Sequence, residues 1–182
     1  MAATVTIRRW TGTTGSPTKS DITSANTRAN AADAHTTADT ASSVLIPSSG
    51  SNYSYWVATR LSVDAITSGT VNNIKWYTDG SNNFGTGVTC VGNRATSYVQ
   101  ATGTAGTTGT QLTTGNYATL VGAPTDVFTR TSTTGIESIT GSTSATGDVG
   151  DFFVYQMVIG TTALSGASAQ ETFTWQYDDT SS

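Results

Sequence analysis

The chain has 182 residues, 36% of them apolar and only 11% charged, with 8 Lys and Arg against 12 Asp and Glu for a net charge of −4. That length suits one domain over 1–182 with a sizeable core, and an acidic balance without basic clusters excludes a nucleic-acid footprint. No apolar run approaches the roughly eighteen residues of a membrane span, "MAATVTIRRW" lacks the apolar stretch of a signal peptide, and a single cysteine, Cys90, excludes an internal disulfide.

Ser and Thr supply about a third of the residues, so the surface is neutral and rich in hydroxyls. Weak repulsion between copies suits a protein that works in a dense array. The first element in the chain is "TVTIRRW", an alternating strand. Its Arg8 and Arg9 are read either as contacts to an acidic partner or as edge charges that discourage strand addition.

Residues 20–50 are long, polar and nearly free of large side chains. Structureless loops of that length are uncommon in compact domains and are often functional. Two readings stand: a solvated loop with a helical turn near residues 30–34, or an assembly arm along a neighbouring subunit. Ile22, Arg28, His35, Val44, Leu45 and Ile46 are the side chains that would dock such an arm.

In "NYSYWVATRLSVD" the residues Tyr53, Tyr55, Val57, Thr59, Leu61 and Val63 alternate with Ser54, Trp56, Ala58, Arg60 and Ser62, which predicts one long, half-buried strand. "TVNNIKWYT" follows, with Ile74 and Trp76 opposite Lys75 and Tyr77. The Asp, Asn and Gly cluster from Asp79 to Gly87 then predicts a hairpin to a strand around Cys90. Cys90 itself reads as a small buried strand residue. Residues 102–116, "TGTAGTTGTQLTTGN", form a Gly/Thr-rich exposed loop by composition.

Weaker strands are expected in "ATSYVQAT", "YATLVG", "DVFTRTS" and "GIESITGSTS". "DFFVYQMVIG" is apolar on both faces, Phe153, Tyr155, Met157 and Ile159 against Phe152, Val154 and Val158. That marks a central strand covered on both sides, or one whose outer face meets another chain. The final "ETFTWQYD" places Phe173, Trp175 and Tyr177 on one face and is expected to close the sandwich against "DFFVYQMVIG". Short strands between Gly, Ser, Thr and Asn clusters give an all-β class: an antiparallel β-sandwich or jelly roll with a long irregular N-terminal arm or loop.

No catalytic constellation emerges. The one histidine, His35, has Asp33 and Asp39 near it but no activated serine motif. One His and one Cys far apart do not make a zinc site, and the Asp and Asn pairs at Asp79, Asn82 and Asn83, at Asp148 and Asp151, and at Asp178 and Asp179 read as turn residues rather than calcium ligands. No cofactor is expected, and the chain reads as a non-enzyme. The aromatics Trp56, Trp76, Phe153, Tyr155, Phe173, Trp175 and Tyr177 are assigned to the core or to an interface.

The stretches "SSGSNYSYWVATRL", "GTVNNIKWYTDGSNNFGTGVT" and "ETFTWQYDDTSS" resemble small, Thr/Gly-rich virion structural proteins of tailed bacteriophages, over about half of the chain. The resemblance implies a non-enzymatic virion protein made in the host cytoplasm, most simply a capsid decoration (cement) protein bound in many copies to the outside of an assembled shell. The partners it implies are further copies of the chain in a homo-oligomer, often a trimer in such proteins, and a major capsid or tail protein, with neither nucleic acid nor membrane. The alternative is a tail or fibre component, or an adhesin-like module that binds host glycans through exposed aromatics.

Overall fold

The computed structural model describes residues 2–38, 42–133 and 137–180. Among the described residues twelve strands follow one another: β1 Thr4–Thr11, β2 Thr18–Asp21, β3 Ser51–Tyr53, β4 Val57–Ala65, β5 Val71–Tyr77, β6 Val88–Ala95, β7 Gly103–Thr104, β8 Thr108–Gly109, β9 Thr125–Asp126, β10 Glu137–Ile139, β11 Gly147–Gly160 and β12 Thr174–Asp179. One 3-10 turn, Val127–Thr129, is capped by the Asp126 side chain, which accepts from the Phe128 amide. The fold is all-β and every pairing is antiparallel, as the alternating patterns predict.

A seven-stranded main sheet runs in the order β2-β1-β4-β11-β6-β9, with β3 also pairing β11. A three-stranded sheet, β10-β5-β12, packs over one of its faces, and β7 and β8 form a small separate hairpin. Between the two larger sheets lies one apolar layer, centred on Trp76 of β5 stacked on Phe153 of β11 at 3.5 Å between ring centroids. Val57, Leu61, Ile74, Ile139, Tyr155 and Met157 complete it.

The opposite face of the main sheet carries a second apolar layer formed by Trp56, Ala58, Phe152 and Val154. Loops cover it: Tyr98, Ala101, Leu112, Tyr117 and Leu120 lie on it, together with Ala31. The two apolar faces of β11 are therefore both covered within the chain, as expected for a central strand. The strand β4 is likewise buried on both faces, where a half-buried one was predicted, because these loops supply an outer cover that the local pattern does not announce.

Four further expectations are corrected. The long strand from Asn52 to Asp64 is broken at 54–56. There Gln156 of β11 reaches across, its Nε2 donating to the Ser54 and Thr110 carbonyls while its Oε1 accepts from the Leu112 amide. The hairpin across Asp79–Gly87 does not form: β5 pairs β10 and β12, whereas β6 pairs β11 and β9, so this loop crosses between sheets. Its turn chemistry is nonetheless as read, with Asp79 accepting from the Ser81 amide and Asn82 from the Phe84 amide.

The third correction concerns residues 102–116, which are not simply exposed. Leu112 is buried in the second layer, and Gly109 passes so close to the Ser54 carbonyl that any Cβ would collide with it. Lastly, "ATSYVQAT" and "YATLVG" are loops joined by an Ala95–Leu120 bridge. Of "GIESITGSTS", the strand is Glu137–Ile139, while Gly135 and Ile136 lie outside the described residues.

Residues 20–50 start as β2, antiparallel to β1, and then run irregularly over the domain's own surface. The Ile22 amide donates to the Ile7 carbonyl, Tyr55 to Asn30, Gly106 to Ala31 and Leu45 to Thr107. Asp33 accepts from the Gly12 amide and from the Gln100 side chain. No helical turn occurs at 30–34.

Candidate functional site

The small sheet is narrower than the main one, and this mismatch opens a cleft. Among the described residues the strand β12 pairs only with β5, leaving its other edge open there, and the inner face of β1 and β4 beyond it is roofed by residues 22–29 instead of a further strand. The gap between these elements is a cleft of about 800 Å³. Its floor is Val5 and Ile7 of β1, Thr59 of β4, and Tyr155 and Met157 of β11.

One wall is aromatic. Strand alternation along 173–177 turns Phe173, Trp175 and Tyr177 to the same side, and all three are half-buried. Phe173 meets Tyr155 edge-on at 4.8 Å and Trp76 at 4.9 Å, which fixes the end of this wall against the core. The C-terminal strand thus packs its aromatic face toward β11, as predicted, while hydrogen bonding to β5. The facing rim is polar: Thr23, Ser24, Asn26, Thr27 and Arg28 on one side, Ser168, Gln170, Glu171 and Thr172 at the end.

Behind the rim lies Arg9, 1% exposed, which sequence reading placed at a strand edge. In fact β2 covers that edge. Arg8 pairs with Asp64 at 2.6 Å, whereas Arg9 turns inward and donates through Nη1 to the Thr27 hydroxyl at 2.8 Å and to the Arg28 carbonyl at 2.6 Å. Burial lowers its guanidinium pKa, with Tyr155 and Asp33 acting in the opposite sense. Arg9 therefore holds residues 27–28 as the roof of the cleft. Nothing in "TIRRW" distinguishes it from Arg8 except the parity of the strand.

Six of the side chains singled out from sequence converge on this cleft: Ile22, Arg28, Tyr155, Phe173, Trp175 and Tyr177. The others do not. Trp76 and Phe153 are core, and Trp56 is buried on the far face of the main sheet, its indole donating to the Val99 carbonyl at 3.1 Å. Val44 packs on the second apolar layer, leaving Leu45 and Ile46 exposed by 52% and 40%.

His35 lies near Arg9, its Nδ1 3.1 Å from the Thr27 hydroxyl, and partial burial, with Arg9 close by, lowers its pKa. Asp39, its sequence neighbour, lies outside the described residues. Among the described residues no three His, Cys, Asp or Glu side chains converge as metal ligands. The Cys90 thiol is fully buried, and burial drives its pKa upward, away from the reactive thiolate.

The cleft thus offers apolar surface, aromatic faces and neutral hydrogen-bonding groups, the equipment of a binding site. Comparison of the chain with protein-family models, with curated proteins and with solved structures finds no match, so the site's geometry is what speaks for function.

Proposed function

We propose that the protein is a non-enzymatic structural component of a tailed-phage particle, a decoration protein that binds in many copies, as a homo-oligomer, to the outside of an assembled shell. The observation that supports this reading best is the ridge at Leu45 and Ile46. Two large aliphatic side chains stand exposed on a segment anchored at Leu45, whose amide donates to the Thr107 carbonyl and whose carbonyl accepts from the Asn52 side chain at 2.8 Å. An apolar ridge held rigid on a neutral surface fits docking to another protein, since little conformational entropy remains to be lost on binding. By associating with the assembled shell and not with its free subunits, such a protein shifts the balance toward assembly.

Quantitative mass spectrometry of purified particles tests the proposal. Copies comparable to the major shell protein are expected, a handful would indicate a tail or fibre position, and absence would end the virion reading. Leu45→Asp with Ile46→Asp is expected to weaken attachment to decoration-free shells at least tenfold. Both residues being exposed, the isolated protein should keep its melting temperature, at a cost within about 0.5 kcal/mol.

A further inference from the structure

The particle role leaves the cleft beside β12 unused, and its lining is specific enough to identify a ligand class. Among the described residues Arg28 and Glu171 are the only charged ones lining it, of opposite sign, so this lining carries no net charge. Glu171 is also engaged, accepting from the Asn83 amide. A neutral cleft offers no electrostatic attraction to phosphates, nucleic acids or other polyanions. Purely apolar ligands fit poorly as well, because one whole rim is made of hydroxyl and amide side chains.

Several of those polar groups have no partner. Among the described residues the side chains of Ser24, Asn26, Ser168, Gln170 and Thr172 make no intramolecular hydrogen bond, and all five line the cleft. A deeper group behaves likewise. Tyr155 is 6% exposed and lines the floor, yet its hydroxyl makes no hydrogen bond to any described residue. That oxygen is not sealed from solvent as the unpartnered polar atoms of the interior are, so it is open to a ligand in the cleft. Facing these five side chains, Trp175 and Tyr177 are half-buried on the opposite wall.

We propose that the cleft binds a neutral oligosaccharide. A pyranose ring combines an apolar C–H face, which packs on an aromatic ring, with an equatorial rim of hydroxyls that both donate and accept. Trp175 and Tyr177 supply the aromatic surface, Asn26 and Gln170 the amides, Ser24 and Thr172 the hydroxyls, and the Tyr155 hydroxyl a bond at the floor. At about 800 Å³ the cleft lies within the range of roughly 300–1,000 Å³ usual for small-molecule sites and leaves room for more than one sugar unit. A polypeptide strand added to the open edge of β12 is the competing occupant. It would be held by main-chain bonds and apolar side-chain pockets, and it would make little use of the free amides on the facing rim. The inference does not depend on the particle role.

The test is a titration of the whole protein with maltohexaose, cellohexaose and N-acetylchitohexaose, with an oligogalacturonide as the charged counterpart, followed by tryptophan fluorescence and calorimetry. At least one neutral hexasaccharide is expected to bind saturably, with an affinity unchanged between low and high salt. Trp175→Ala should weaken it at least tenfold while Trp175→Phe retains most of it. Since Trp175 is half-buried, Asn26→Ala and Gln170→Ala, both at exposed positions, are measured alongside and should each weaken binding severalfold with an unchanged melting temperature.

Failure of all three neutral sugars to bind, preference for the oligogalacturonide, or binding indifferent to Trp175→Ala and Gln170→Ala would overturn the proposal. Concentration-dependent self-association abolished by Trp175→Ala would also overturn it, assigning the cleft to a strand from a second copy. None of these outcomes bears on copy number in particles, so the two proposals fail separately.

Discussion

Gln156 shows how much one residue can organise. Fully buried in the most apolar strand, it looks out of place in "DFFVYQMVIG". Its amide closes three backbone bonds at once, to Leu112, Ser54 and Thr110, at 2.7, 2.6 and 2.8 Å. Leu of similar volume would leave those groups buried without partners, at about 1–3 kcal/mol for each group that water does not reach. Gln156→Leu is therefore expected to lower stability by about 2–4 kcal/mol, read as a shift of the urea midpoint. His35 acts through charge. Its pKa is lowered on folding, chiefly by burial and then by Arg9, so the unfolded chain binds the proton more tightly. Its contribution to stability is complete above the unfolded value of about 6.5 and shrinks as pH falls below it. The slope of melting temperature against pH between about 5 and 7 should flatten in His35→Gln; an unchanged slope would assign it to other groups.

At the scale of elements, β12 separates local pattern from packing. Its alternation of Phe173, Trp175 and Tyr177 was legible, and so was its aromatic face toward β11, but the three rings do not share one fate. Trp175 borders the cleft and is half-buried, so Trp175→Ala should cost only about 1–2 kcal/mol, less than a fully buried aromatic would. Trp76, stacked on Phe153 and 1% exposed, should cost about 3–5 kcal/mol as Trp76→Ala. Parallel thermal melts check the ranking, and equal losses would mean that Trp175 is as deeply packed as Trp76. The bulge in β11 between Val149 and Phe153 belongs to the same scale. Gly150, at φ +70°, turns the strand there, and its carbonyl accepts from Arg60 Nε at 2.8 Å. Gly150→Val should destabilise, because a side chain would be strained at that φ and would meet the Thr140 carbonyl at 2.8 Å.

For the whole molecule, Cys90 reports on opening. It lies opposite Met157 in the centre of the main sheet, fully buried, with its thiol pKa raised by burial. Modification by a thiol reagent at neutral pH should be slow in native buffer and should accelerate with denaturant as steeply as global unfolding does. Fast labelling without denaturant would reveal a local opening of β6. The sequence by itself determined the all-β class, the central place of "DFFVYQMVIG", the aromatic face of the last strand, the turn at Asp79 and the low surface charge. Each of these follows from side-chain period or from local backbone chemistry, which a short window contains. Only the tertiary structure decided that β5 pairs β12 rather than β6, that Arg9 rather than Arg8 turns inward, and that Gln156 is a latch. Strand partners far apart in the chain are chosen by fit between whole faces, because loop-closure entropy grows only slowly with separation and scarcely favours the nearer strand. The cleft has the same origin: it exists because three strands cover a sheet of seven, a mismatch that no local stretch of sequence records.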